Sequence, residues 1–266
     1  MYLSRRARIA LRLFTWLVLA GLYFPLLYVA RLSFATSLGF TWPPTGWTLD
    51  HWEEARHAQA PREALMNSLQ IALWSTLVAL VLGSLAAAAL ARYRFFGRNA
   101  INLLLVLPIA LPGIVTGVAL NAGFARMGVD LSRGTLVTAH ATFCIVIVFN
   151  NVAARMRQLS PNLDEASADL GADQLQTFWH VRRPLMMSSV LAGALLAFAL
   201  SFDEIIVTTF TVEGGFTTLP LWIFQNMFRA ISIPLVNVTA TVVVIVMVIP
   251  VYLAQRLSDA SAGGRT

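Results

Sequence analysis

Two adjacent carboxylates, Asp203 and Glu204, lie inside the apolar stretch 185–212 and are the residues of this 266-residue chain best suited to chemistry. An ionised side chain at the centre of a membrane costs about 2.5–3.5 kcal/mol on insertion scales, so such a group faces a cavity or a partner. Asp203 can attract a cationic amine, with Glu204 assisting, or the acids can pair with an arginine of this or a neighbouring subunit. Counted from Leu185, position 203 is roughly 27 Å along a helix, in the far half of a bilayer. Neighbouring helical residues point about 100° apart, so only one of the pair need face a pathway.

Several other chemistries are excluded. All 19 basic residues are arginine. Without lysine there is no Walker A loop, Schiff-base lysine or lysine general base. No G-x-S run occurs and His140 has no evident serine partner, which argues against an intramembrane protease. The single Cys144 rules out an internal disulfide and a cysteine metal site, and reads as a small buried side chain. His140, Asn150 and Asn151 read more readily as interhelical hydrogen-bonding groups than as pathway lining.

The elements that must position these residues are membrane spans. The chain is 58% hydrophobic and 12% charged, with mean hydropathy +0.70. Soluble domains carry about 25% charged residues, and the deficit here runs along the whole chain. Four arginines precede an apolar run reaching Leu32, too long for a cleaved signal peptide and better read as a first span. The loop 33–66 carries Trp42, Pro43, Pro44, Trp47 and Trp52, suited to the headgroup interface. The second span, Leu69–Ala91, is 23 residues without a charge. Ile101–Ala125 is a third, bent at Pro108 and Pro112. Gly134–Ala154, Leu185–Val212 and Leu235–Ala254 complete six. Between the last two, TTLPLWIFQNMFR (217–229) reads as an external gate helix or a segment in the interface, and the Gly/Ser-rich tail as disordered.

Alternate connections hold thirteen arginines against six, which places both termini and the segment 155–184 in the cytoplasm. Arginines scattered between spans do not form the clustered face of a nucleic-acid binder. A secondary transporter would call for inverted repeats and discontinuous helices, and neither is evident in the sequence.

The cytoplasmic segment DEASADLGADQLQTFWHVRRP (164–184) is polar between two apolar spans. Ser160-Pro161 predicts a helix start, with Asp164 and Glu165 complementing the dipole and Leu163, Ala166, Ser167 and Leu170 on one face. Gly171 should end this helix in a left-handed conformation. A second short helix is predicted from Asp173, with Leu175, Phe178 and Trp179 on its apolar face, ending at Arg182–Arg183 before Pro184. Two short helices at a glycine corner can cap the bundle or form a socket for a cytosolic partner.

Glu165, Ala166 and Ser167, then Gly171 after three intervening residues, Val181 after nine more and then Pro184 resemble the EAA-x3-G-x9-I-x-LP motif of ABC importer permeases. The chain departs from it at Ser167 for Ala, Val181 for Ile and Arg183 for Leu. LPIALPGIVTG (107–117), HATFC (140–144) and LSFDEIIVTTF (200–210) are similar to the PotC/PotI-like spermidine/putrescine branch, and most of all to its Ydc-type relative. The resemblance implies an all-α, six-span type I (MetI-like) permease forming one domain over 1–266, in the bacterial inner membrane. It implies that Glu165, Ala166, Ser167, Gly171, Val181 and Pro184 couple to a separate ABC ATPase dimer that holds ATP and magnesium. A second homologous permease and a periplasmic substrate-binding protein are the other implied partners. The chain itself should bind no cofactor or metal and catalyse no covalent step. Its substrate would be a polyamine, with 4-aminobutyrate or another small amine as the alternative.

Overall fold

The computed structural model describes residues 4–36, 46–93, 95–160 and 162–262. Trp42, Pro43, Pro44, Arg94, Pro161 and the end of the tail lie outside them. In chain order the α-helices are α1 (Arg5–Leu32), α2 (Asp50–His57), α3 (Gln59–Arg92), α4 (Arg98–Ala110) and α5 (Gly113–Arg126). They continue as α6 (Arg133–Gln158), α7 (Leu163–Asp169), α8 (Gln174–Thr177), α9 (Arg183–Phe202), α10 (Ile206–Thr211), α11 (Leu219–Asn226) and α12 (Ile233–Ala262). The all-helical architecture matches the expectation. Among the described residues, five helices are long and apolar enough to cross a membrane. The expected third span is divided.

The chain forms two compact units, Met1–Arg62 with Trp222–Thr266, and Glu63–Leu221. In the first, the Ser4 hydroxyl caps α1 by accepting from the Ala7 N–H at 3.3 Å. The Phe14, Trp16 and Phe24 side chains of α1 stay exposed, as lipid-facing side chains do. The loop expected over 33–66 contains α2 and the first turns of α3. Asp50 and Glu53 in the first turn and Arg56 and His57 in the last suit the dipole of α2, and Trp52 stacks on Phe34 at 5.0 Å. Trp47 remains exposed, as an interfacial tryptophan would. α12 packs on α1 and α2.

In the second unit α6 is the axis. A reciprocal Ser132–Thr135 capping box starts it. Its Ala139, Phe143, Cys144, Val148, Phe149 and Val152 form one buried cluster with Ala79 and Ala87 of α3, Ala197 of α9 and Val207 of α10. Cys144 is buried as expected, its thiol directed at the Ala197 carbonyl at 3.4 Å.

Two expected spans break in this unit. Residues 98–126 do not bend at proline but separate into two helices. Leu111, at φ −84° and ψ 141°, is extended because a residue before proline is pushed out of the helical region, and Pro112 then starts α5. Likewise 185–212 is not one helix: α9 ends at Phe202, and α10 begins only at Ile206. Discontinuous helices, not evident in the sequence, are therefore present.

Candidate functional site

The polar segment between the fourth and fifth spans is built from short-range contacts. α7 begins at Leu163, later than Ser160-Pro161 implies; Ser160 instead accepts from the Asn162 N–H at 3.4 Å, outside the helix. Gly171 has φ +81°, the left-handed corner expected of it. The turn to α8 is set by a capping box, with Asp173 accepting from the Gln176 N–H at 2.8 Å and Gln176 accepting in return from the Asp173 N–H at 3.0 Å.

The second helix does not stop before Pro184, as the sequence suggests. It widens into a π-helical turn, Phe178–Arg182, and runs directly into α9. The Arg183 N–H reaches the Phe178 carbonyl, and Pro184, which lacks an N–H, sits in the first turn of the new helix. The segment is thus continuous with the fifth span.

Two side-chain links close the corner. Asp164 receives both ends of the Arg182 guanidinium fork, Nε at 2.7 Å and Nη2 on the second carboxylate oxygen. Thr177 gives its one hydroxyl proton to the Asp173 carbonyl at 2.9 Å, so Ser167 must donate to Thr177 across their 2.7 Å contact. Ser167 is buried, Val181 half-buried, and Glu165, Ala166 and Pro184 are exposed. Arg183 stacks over the Trp179 ring at 4.8 Å, which gives the departure from leucine a packing partner of its own. Leu170 is 89% exposed and Leu175 67%, with Phe178 and Trp179 half out. The predicted small-residue face is therefore split, Ser167 turned inward and Leu170 outward. A cavity of about 240 Å³ lies behind the corner, lined by Arg92, Ser160, Leu163, Asp164 and Arg182 among others.

The acids sit elsewhere. Asp203 and Glu204 occupy the joint between α9 and α10, so their side chains are not related by a helical turn. Glu204 is half-buried and its Oε1 accepts from the Val207 N–H at 2.8 Å, capping α10. Asp203 is exposed and, among the described residues, neither acid has an arginine partner. His140 spans the joint from α6, with Nδ1 2.8 Å from Ser201 Oγ and Nε2 2.9 Å from Thr208 Oγ1. The interhelical role expected of His140 is what the fold shows. Asn151 differs, donating within its own helix to the Ile147 carbonyl at 2.9 Å, and Asn150 is exposed.

α10 is also held from α5. A Cβ on Gly117 would meet Phe210 Cδ2 at 2.8 Å, so only glycine permits this approach. Asn121 Nδ2 donates to the Phe210 carbonyl at 2.6 Å. α5 and α10, the second pieces of the two broken spans, therefore pack as a pair. Asn121 lies in no stretch singled out from the sequence, and although Gly117, Ser201 and Thr208 fall within 107–117 and 200–210, nothing in those stretches marks the contacts they make. A weak signal for the joint existed, since Asp203-Glu204 precedes the β-branched run Ile205–Thr209, which favours a helix interior little. The expected gate segment contains α11, and its approach is tied to α3: Asn67 donates to the Thr217 carbonyl at 2.9 Å and Ser68 accepts from the Leu219 N–H at 2.8 Å.

Residues 79–262 match the family described as binding-protein-dependent transport system inner membrane component. The chain is 34% identical over 230 residues to the putrescine transport system permease protein PotI of Escherichia coli (strain K12), covering 84% of this chain and 81% of that one. It is 31% identical over 250 residues to the spermidine/putrescine transport system permease protein PotC of the same strain, with 94% of each covered. Its fold is similar, at TM-score 0.75 and 15% identity, to a chain in the crystal structure of a bacterial ABC transporter involved in the import of the acidic polysaccharide alginate, covering 96% of this chain and 99% of that one.

Proposed function

The chain belongs to the binding-protein-dependent transport system inner membrane component family, and on that premise we propose that it carries a polyamine across the membrane. It is a multi-pass inner-membrane permease subunit of an ABC importer with the type I fold, and it is non-catalytic. A polyamine is cationic, and Asp203 offers an exposed carboxylate without an ion-pair partner among the described residues, where a span is interrupted. That observation carries the substrate class, and the names of the 31–34% identical relatives agree with it. The stretches 107–117, 140–144 and 200–210 favour the Ydc-type member of the branch.

The partners follow from the same premise: an ABC ATPase dimer holding ATP and magnesium, a second homologous permease and a periplasmic binding protein. With both termini cytoplasmic, α7 and its glycine corner meet the ATPase. Glu165, Ala166, Ser167, Gly171, Val181 and Pro184 are the coupling residues, and the outward Leu170, Leu175 and Trp179 supply apolar contact area. ATPase closure displaces the corner, and because α8 continues through the π turn into α9, that displacement reaches the Asp203 joint along one helix.

The test is transport by the complete importer in proteoliposomes, with radiolabelled putrescine or spermidine, ATP and a periplasmic polyamine-binding protein. Asp203→Asn should cut uptake at least about tenfold while assembly and basal ATP hydrolysis persist, a loss of about 1.4 kcal/mol. Glu165→Lys or Gly171→Asp should release the ATPase or uncouple it, with membrane insertion intact. Undiminished uptake by Asp203→Asn overturns the pathway role, and normal assembly with full transport in both corner variants overturns the coupling role.

A further inference from the structure

We infer that His140 is a positioning residue that sets how the broken fifth span presents Asp203, by holding Ser201 and Thr208 on either side of the joint. This rests on the pathway reading of Asp203.

The direction of the hydrogen bonds can be worked out. The His140 side chain is 1% exposed, so water does not supply its partners. Thr208 has one hydroxyl proton and gives it to the Glu204 carbonyl at 2.9 Å. Nε2 of His140 must then carry a proton and donate to Thr208. Nδ1 is left as an acceptor for the Ser201 hydroxyl. Donors therefore run one way, from Ser201 through the imidazole and Thr208 to the main chain of the joint itself. Such a chain polarises along its length, and a missing member leaves a buried neighbour unsatisfied.

The geometry makes this a brace. Ser201 is in the last turn of α9 and Thr208 in the first turn of α10, with Asp203, Glu204 and Ile205 between them. A rigid ring bonded at both nitrogens fixes the separation of the two hydroxyls, and with it the path of those three residues. The far end of α10 is already held by Asn121 and by contact with Gly117. The Glu204 carboxylate is engaged with the Val207 N–H. The joint so braced presents one carboxylate outward, that of Asp203.

The experiment combines a double-mutant cycle with a thiol probe, both in the assembled importer. His140→Leu should lower amine uptake about tenfold with Asp203 present and have no further effect in Asp203→Asn, because residues acting through one another are not additive. His140→Gln, whose amide can both donate and accept, should recover most of the loss. In a Cys144→Ser background, Asp203→Cys should be modified by a cationic methanethiosulfonate at a rate that His140→Leu changes at least about fivefold and His140→Gln leaves within about twofold. If His140→Leu does not assemble, Ser201→Ala replaces it in both arms. Additive transport losses, or an unchanged labelling rate, overturn the inference. Full uptake by Asp203→Asn overturns the pathway reading alone, and the labelling rate still decides the role of His140.

Discussion

The glycine corner at 163–184 and the joint at 203–205 are both interruptions of helix, yet they are held by different means. At the corner the tying residues are close in sequence: Ser167 and Thr177 are 10 apart, Asp164 and Arg182 18 apart. At the joint His140 reaches Ser201 and Thr208 across 61 and 68 residues, and Asn121 reaches Phe210 across 89. The corner leaves leucine and aromatic side chains outside, whereas the joint buries its polar groups and leaves one acid exposed. On the proposed coupling reading the corner is a docking element, which must form its shape before its partner arrives, so local links suffice. A passage through a membrane has to satisfy its freed backbone internally, so neighbouring helices must supply the bonds.

The comparison breaks hardest at Gly117. Gly117→Leu drives a side chain into Phe210 and should destabilise the pairing of α5 with α10 by about 1–3 kcal/mol, the range for overpacking. Transport should fall steeply, and thermal unfolding of the purified complex should come at lower temperature. Unaltered unfolding and transport would mean that the two broken spans do not depend on each other.

At the corner the expected effect is smaller and can be reversed. Asp164→Arg should cost about 1 kcal/mol, since the pair is partly solvated, and should reduce ATPase co-purification. Adding Arg182→Asp restores the opposite charges and should recover at least half of the loss. Failure of the double variant to recover would show that the clamp acts through something other than its charge pair.

Ser167→Ala, which restores the residue usual in the motif, should have the smallest effect. Thr177 keeps its bond to the Asp173 carbonyl, so no buried donor is orphaned, and the cost should be roughly 0.5–1 kcal/mol with ATPase coupling retained. A large loss of coupling, read as uptake per ATP hydrolysed, would place Ser167 nearer the corner's mechanism than a packing bond.

Much of the corner was legible because its signals are local. Gly171 at positive φ and Asp173 as a cap are properties of a few consecutive residues. The continuation into α9 was not, because Arg182–Arg183 before Pro184 resembles a helix end, whereas a π turn over Phe178–Arg182 carries the chain into α9 with Pro184 in its first turn. The break in the third span was half legible: Pro112 announces a disturbance, but whether a chain kinks or separates depends on what satisfies the freed backbone groups.

By itself, the sequence determined the membrane character, the apolar stretches, the arginine bias and the corner with its motif spacing. These follow from run length, charge placement and residues whose backbone preferences act within a few positions. Tertiary structure alone decided that the fifth span opens at Asp203, that Glu204 turns back to cap α10 and that His140 braces the gap. Ser201, Thr208 and His140 are ordinary polar residues in apolar runs. Which of them meet is set by how α6, α9 and α10 pack, and that packing is a property of surfaces brought together from distant parts of the chain.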